Sequence, residues 1–110
     1  MYKLFIDDER FPPRGNGEWK IARNLAEVSI IIFREKCFPN YISFDHDLGD
    51  NMPNGFDIAK WLVELNMNSK SWDYAFSDTF DFYVHSQNPV GKSNIISYLN
   101  NYLKFKGIMK

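Results

Sequence analysis

The sequence has little of what marks several large classes of protein. It contains one cysteine, Cys37, which excludes an internal disulfide and is expected to be a buried structural thiol at the end of an amphipathic helix. No apolar run approaches the length needed to span a bilayer, and no secretory signal is evident. We therefore expect a cytoplasmic protein that makes no membrane contact.

An excess of charge of one sign is also lacking. The 13 basic and 14 acidic side chains give a net charge of −1 and intermingle along the chain. This balance argues against an extended nucleic-acid surface. It still permits a small phosphorylated ligand, because one helix end and one lysine are enough to bind a phosphate.

The composition is that of a globular protein. Hydrophobic residues make up 45% of the chain and aromatic residues 17%, which fits one domain over residues 1–110. Short runs rich in aromatic and β-branched side chains predict four strands, at residues 2–6, 19–22, 41–44 and 80–84. Segment 69–79 is polar with embedded aromatic residues, and it predicts a loop with a short extra strand.

Helical patterns lie between and after these strands. Asn24 begins a capping box followed by an apolar helical face, and Asn54 precedes a second such face. Asn88 is expected to cap a third helix that has Pro89 in its first turn and extends to about Lys104. Strands that alternate with helices predict an α/β domain with a largely parallel sheet.

Side chains with useful chemistry follow three of the predicted strands. They are Asp7 and Asp8 after the first, Asp45 and Asp47 after the third, and His85 and Ser86 after the fourth. Parallel strands end at one edge of a sheet, where such folds bind ligands, so these side chains should converge. Clustered carboxylates need raised pKa values or a cation, and oxygen ligands without a cysteine cluster favour Mg²⁺. The alternative is a set of solvated acids that cap helices or pair with Arg10 and Arg14.

The start of the third predicted helix is a candidate phosphate site. The N–H groups of Val90, Gly91 and Lys92 should point outward at the positive end of the helix dipole, where Lys92 adds a full charge. His85 adjoins this end and can act as a general acid or base, whereas His46 should turn away from the site. The alternative is an ordinary capped turn between a strand and a helix.

The order of these motifs resembles that of the response-regulator receiver domain. That family has an acidic pair after its first strand, a phospho-accepting aspartate after its third and a small hydroxyl residue after its fourth. The matching residues are Asp7, Asp8, Asp45 and Ser86. Two departures stand out: no fifth strand carries the family's lysine, and segment 9–18 is too rich in proline and glycine to form its first helix.

With these departures, segments 4–13, 43–49 and 85–91 look closer to a receiver-derived group, the cyclic-phosphate-processing receiver-like domains. The resemblance implies a receiver-like (flavodoxin-like) three-layer α/β fold. Its mostly parallel sheet would have about four strands, with a degenerate first helix and no fifth strand.

The resemblance also implies a metal-assisted phosphoesterase that processes a cyclic or terminal phosphate on a small nucleotide-like ligand. The expected Mg²⁺ ligands are Asp7, Asp8, Asp45 and Asp47. The expected phosphate-binding residues are Ser86, Asn88, Val90, Gly91 and Lys92, and the expected catalytic residues are Asp45, His85 and Ser86. Two alternatives stay open: a signalling module phosphorylated on Asp45, and a non-catalytic pocket that sequesters a phosphorylated small molecule.

No sequence pattern indicates how the rest of such a ligand is recognised. Exposed indole rings at Trp19, Trp61 or Trp72 would offer a stacking surface. Trp61 is expected to pack instead, because it lies within an amphipathic helix.

Overall fold

The computed structural model describes residues 1–14, 18–69 and 74–108. Within these ranges the chain forms four strands and three helices. In chain order they are β1 (Lys3–Ile6), β2 (Trp19–Ala22), α1 (Leu25–Glu35), β3 (Tyr41–Phe44), α2 (Gly55–Asn68), β4 (Asp81–Val84) and α3 (Pro89–Phe105). The predicted strands are therefore confirmed, with β1 and β4 each starting one residue later than expected.

The least readable segment of the sequence, 69–79, is partly described. Residues 74–79 and Ser69 contain no strand, so the extra strand expected there is absent from this part of the segment. Residues 70–73, which include Trp72, lie outside the described residues. Trp61 is half-buried and packs edge-on against Phe33, as expected for a residue on a helical face.

The four strands form one parallel sheet in the order β2-β1-β3-β4. The register pairs Ile6 with Phe44 and Phe44 with Val84, so the last residues of β1, β3 and β4 lie side by side. The residues that come next in each strand therefore start from the same level of the sheet. This register, more than any local motif, brings the candidate site together.

Asparagine side chains begin all three helices. Asn24 accepts a hydrogen bond from the Glu27 N–H at 2.9 Å, although the Glu27 carboxylate bonds the Arg23 N–H instead of closing a box on Asn24. Asn54 forms a complete capping box, and Asn88 caps α3 ahead of Pro89. No helix in the described ranges is long and apolar enough to cross a membrane. Because α1 ends at Glu35, Cys37 lies beyond it and is half-buried instead of fully buried.

The helices cover one face of the sheet. The connections from β2 to β3 and from β3 to β4 run the same way across the sheet, so right-handed crossovers place α1 and α2 on one side. Helix α3 packs against α2 and so belongs to the same layer. Fully buried side chains fill the space between this layer and the sheet; those from the strands are Leu4, Ile6, Ala22, Ile42, Phe44 and Val84.

The opposite face of the sheet carries no helix among the described residues. The α/β class and the receiver-like parallel sheet are confirmed, but the expected third layer is not helical. The β1–β2 connection, which would have to supply a helix on this side, is the segment where proline and glycine oppose helix formation. This face of the sheet is one wall of the site described next.

Candidate functional site at the carboxyl edge of the sheet

Asp7, directly after β1, is fully buried and fully hydrogen-bonded. Its Oδ1 accepts the backbone N–H groups of Glu9 at 3.0 Å and Arg10 at 2.8 Å. Its Oδ2 accepts the Arg10 Nε–H at 2.8 Å and lies 3.0 Å from His85 Nε2. A carboxylate offers about four acceptor positions, so these bonds occupy all of them.

These contacts also set the charge of Asp7. Burial alone raises the pKa of its carboxyl, but the backbone bonds from Arg10 and Glu9, the His85 bond and the Arg10 charge outweigh burial and hold the pKa below its usual value. Burial acts to lower the pKa of Arg10, but the charges of Asp7 and Asp45 and the hydrogen bonds to them outweigh burial and raise this pKa above its usual value. At neutral pH the site therefore contains an ionised carboxylate and a guanidinium cation.

Arg10 also reaches the acid that follows β3. Its Nη2 lies 3.4 Å from Asp45 Oδ2, and the other oxygen of Asp45 accepts the His46 N–H at 2.8 Å. Gly55 fits tightly beneath this residue, because a Cβ atom there would lie 2.0 Å from the Asp45 carbonyl oxygen. Asp45 is 5% exposed. The guanidinium thus lies between two buried carboxylates, as the alternative of paired acids anticipated.

His85 joins this cluster through both ring nitrogens. Nε2 faces Asp7, and Nδ1 lies 2.7 Å from Ser43 Oγ. Because ionised Asp7 can only accept, Nε2 carries the proton, and in the neutral ring the Ser43 hydroxyl donates to Nδ1. The ring also stacks on Phe5 with parallel planes and 4.7 Å between centroids. The result is a hydroxyl–imidazole–carboxylate chain in the order used by nucleophilic enzymes.

Arg23 fixes the loop that carries Asp7 and Arg10. Its Nη1 donates to the backbone carbonyl oxygens of both residues, at 3.0 Å for Asp7. Its guanidinium also lies over the Phe11 ring, 4.8 Å from the centroid. Ser43 and Arg23 were not identified from the sequence. A serine inside a strand and an arginine after a strand belong to no recognisable sequence motif. Only the pairing of the strands shows which residues they contact.

Three of the four predicted metal ligands line one cavity, here called the acidic cavity, of about 470 Å³. Its lining residues are Asp8, Glu9, Arg10, Asp45, Asp47, Gly49, Asp50 and Gln87. Asp7 is not among them, and its four hydrogen bonds leave no oxygen position for a cation. Asp7, Asp45 and His85 do place one possible ligand atom each within 4.8 Å of the others, but Arg10 already supplies positive charge there.

The candidate phosphate site at the start of α3 is largely closed by its own cap. The Gly91 N–H donates to Asn88 Oδ1 and the Lys92 N–H donates to the Asn88 carbonyl, both at 2.9 Å. The prediction that these two amides point outward is therefore wrong, because Asn88 takes the donors that an anion would need. Ser86 Oγ accepts the Asn88 N–H, and the Lys92 ammonium lies 5.6 Å from the Tyr83 ring centroid. Val90 is exposed on the first turn.

His46 was predicted to turn away from the site, but it lies against the start of α3 and Asp47, which are parts of that site. Its Nδ1 lies 2.9 Å from an oxygen of Asp47, and its ring packs against the first turn of α3. A Cβ atom on Gly91 would lie 2.3 Å from that ring. His46 therefore fixes the distance between the end of β3 and α3, and it explains the glycine in the α3 sequence.

A second cavity, here called the open cleft, lies on the sheet face that carries no helix. Its volume is about 600 Å³, and its lining residues are Lys3, Phe5, Arg10, Phe11, Pro13, Trp19, Tyr41, Ser43, Tyr83 and His85. Ser43 and His85 both line this cleft, and Arg10 lines the open cleft and the acidic cavity. Sequence reasoning missed the cleft because it expected a third layer of structure on this face.

The comparison with known families agrees with this arrangement. The family model described as Cyclic-phosphate processing Receiver domain matches residues 2–101. The chain belongs to this family. The match extends over all four strands of the receiver domain and every residue of the cluster around Asp7 and His85. No curated protein and no solved structure matches the chain.

Proposed function

We propose that this cyclic-phosphate processing receiver domain is a phosphoesterase that hydrolyses a cyclic or terminal phosphate on a small nucleotide-like ligand. One observation carries the proposal: His85 is held between Ser43 and ionised Asp7 at the end of an open cleft, with Arg10 beside it. An acid–base group and a phosphate-binding cation thus face the same space. These are the two functions that hydrolysis of a phosphate ester requires.

His85 would move the proton. Water adds its oxygen to phosphorus, its proton passes to Nδ1 directly or through the Ser43 hydroxyl, and one phosphorus–oxygen ester bond breaks. The proton then returns to the leaving oxygen, so the ring ends as it began. While the ring is an imidazolium, its Nε2–H still donates to Asp7, whose negative charge stabilises it. Acid–base catalysis of this kind contributes about 10²–10⁴ in rate.

Arg10 would hold the phosphate. A guanidinium has five N–H donors, and its side-chain bonds to Asp7 and Asp45 use two of them. The side chain is 46% exposed and lines the cleft beside His85. The remaining donors can bind phosphate oxygens while the Nε–H bond to Asp7 keeps Arg10 in place, so this cation is in position before the ligand arrives.

A divalent cation is proposed in the acidic cavity instead of the cluster around Asp7, because four hydrogen bonds already fill the oxygen positions of Asp7 and Arg10 already supplies positive charge there. Asp8, Asp45 and Asp47 offer the carboxylate oxygens that Mg²⁺ prefers, with no thiolate among them. We propose these three residues, without Asp7, as the ligands. A cation bound there would screen the carboxylates from the negative charge of a phosphate.

The test is turnover by the purified full chain. Adenosine and cytidine cyclic phosphates, with 2′,3′ and 3′,5′ rings, and the matching terminal monophosphates are incubated with and without Mg²⁺, and products are followed by ³¹P NMR. We expect hydrolysis that falls at least 10²-fold in His85→Gln. The control is Arg34→Gln, because Arg34 is exposed on α1 and lines neither cavity. Absence of turnover of every compound by the wild type would contradict the proposal.

A further inference from the structure

The open cleft has a floor and rims of aromatic rings. On the floor, the Trp19 ring meets Phe5 and Tyr41 edge-on, with centroids 5.7 and 5.8 Å apart. On the rims, Phe11 is 74% and Tyr83 is 54% exposed. Phe11 lies beside Arg23, at the β2 side of the sheet, and Tyr83 lies on β4 at the other side. Large aromatic rings left exposed around a concave surface are typical of a binding site.

The charges along the cleft have one sign. Lys3 and Arg10 are cations, and no acidic side chain is among the described residues that line the cleft. Lys3 is at the start of β1, whereas Arg10 and His85 lie at the level where β1 ends. Three residue rises of extended chain separate these levels, or about 10 Å. The cleft therefore suits an elongated ligand that combines an anionic group with a flat ring.

We propose that the open cleft binds the planar base of a nucleoside cyclic phosphate, with its phosphate at Arg10 and His85. The inference rests on the proposed function and adds the part of the substrate that is not phosphate. Aromatic side chains stack on any base with little preference among bases. The cleft should therefore distinguish ligands with a base from ligands without one more strongly than it distinguishes one base from another. The aromatic rims and the absence of acidic side chains from the described lining both favour this occupant.

The experiment compares two probes that share the cyclic phosphate. Adenosine 2′,3′-cyclic phosphate and methyl riboside 2′,3′-cyclic phosphate are titrated calorimetrically into the full chain, with the ligand checked for turnover afterwards. We expect the adenosine compound to bind at least tenfold more tightly. Tyr83→Ala and Phe11→Ala should each remove most of this difference and leave the affinity for the base-free probe unchanged. Phe105→Ala is the matched control, since this 82% exposed ring on α3 does not line the cleft.

The failures of the two proposals are distinguishable. Equal wild-type affinity for both probes overturns the base site and leaves the phosphate site standing. Binding of neither probe overturns the base site and a 2′,3′-cyclic phosphate as the ligand, while turnover of the other phosphates decides the proposed function. Tyr83→Phe should keep the adenosine preference, because it keeps the ring, and loss of the preference in this variant overturns stacking as its cause. Sedimentation of the wild type as a dimer that Tyr83→Ala dissociates would make a second copy the occupant of the cleft and would also overturn the inference.

Discussion

Replacing Arg10 by glutamine tests the charge balance of the cluster. Without the guanidinium, the side chains of Asp7 and Asp45 face each other with oxygen atoms no more than 4.8 Å apart. Two like charges at that distance repel by about 3.5 kcal/mol at an effective dielectric constant near 20. Arg10 is 46% exposed, so solvent already screens part of its attraction for both acids. We therefore expect Arg10→Gln to lower the free energy of unfolding by about 1–3 kcal/mol.

The assay is urea unfolding of wild type and variant at pH 7 and at lower pH, with Arg34→Gln as control because Arg34 is exposed on α1. The loss in Arg10→Gln should shrink as the pH falls through the lowered pKa of Asp7, since a protonated Asp7 no longer attracts Arg10 in the wild type or repels a neighbouring carboxylate in the variant. Added Mg²⁺ should stabilise the variant more than the wild type, because the variant lacks a cation between the acids. A loss that is absent at pH 7, or equally large in acid, would refute the electrostatic reasoning.

Three further predictions follow from the same contacts. The lowered pKa of Asp7 stabilises the fold at pH values above the unfolded-state pKa near 3.9, and this stability is lost as the pH falls through the lower folded-state pKa. In urea unfolding, the free energy of unfolding of Asp7→Asn should therefore fall less steeply in acid than that of the wild type. Gly91→Ala should lower the free energy of unfolding by about 1–3 kcal/mol, because the added methyl group clashes with the His46 ring. In thermal unfolding, the double variant with His46→Ala should recover most of that loss, and additive losses would contradict the contact. Ser43→Ala should slow hydrolysis about tenfold or more and shift its pH dependence, whereas Ser43→Thr keeps the hydroxyl and should retain much of the rate. If Ser43→Ala leaves the rate and its pH profile unchanged, the hydroxyl takes no part in proton transfer.

Much of the fold could be predicted because its signals are local. The four short strands are rich in aromatic and β-branched residues, and each helix begins at an asparagine whose side chain caps it. The face of the sheet on which none of the described helices packs could not be predicted in the same way. Which face a helix covers depends on strand order and crossover handedness, and these become visible only once the strands are paired.

The candidate site shows the same division. Asp7, Asp45 and His85 were predicted to converge, and they do, because parallel strands in register end at one edge. The partners of these residues were not predictable from residue type. Arg10 is placed by the turn that Asp7 itself caps, and Ser43 meets His85 across neighbouring strands. The roles proposed for these side chains in metal binding and catalysis remain predictions for the experiments above.

Arg10 lines both cavities, and this gives the site a built-in exchange of partners. An anion in the open cleft competes with Asp45 for the guanidinium, and a cation in the acidic cavity competes with the guanidinium for Asp45. Each ligand therefore releases the group that the other one needs, so each should raise the affinity of the other by the same factor. This coupling requires the movement of one side chain and no shift of the strands. Titration of inorganic phosphate with and without Mg²⁺ measures it, and equal affinities would show that the two cavities act independently.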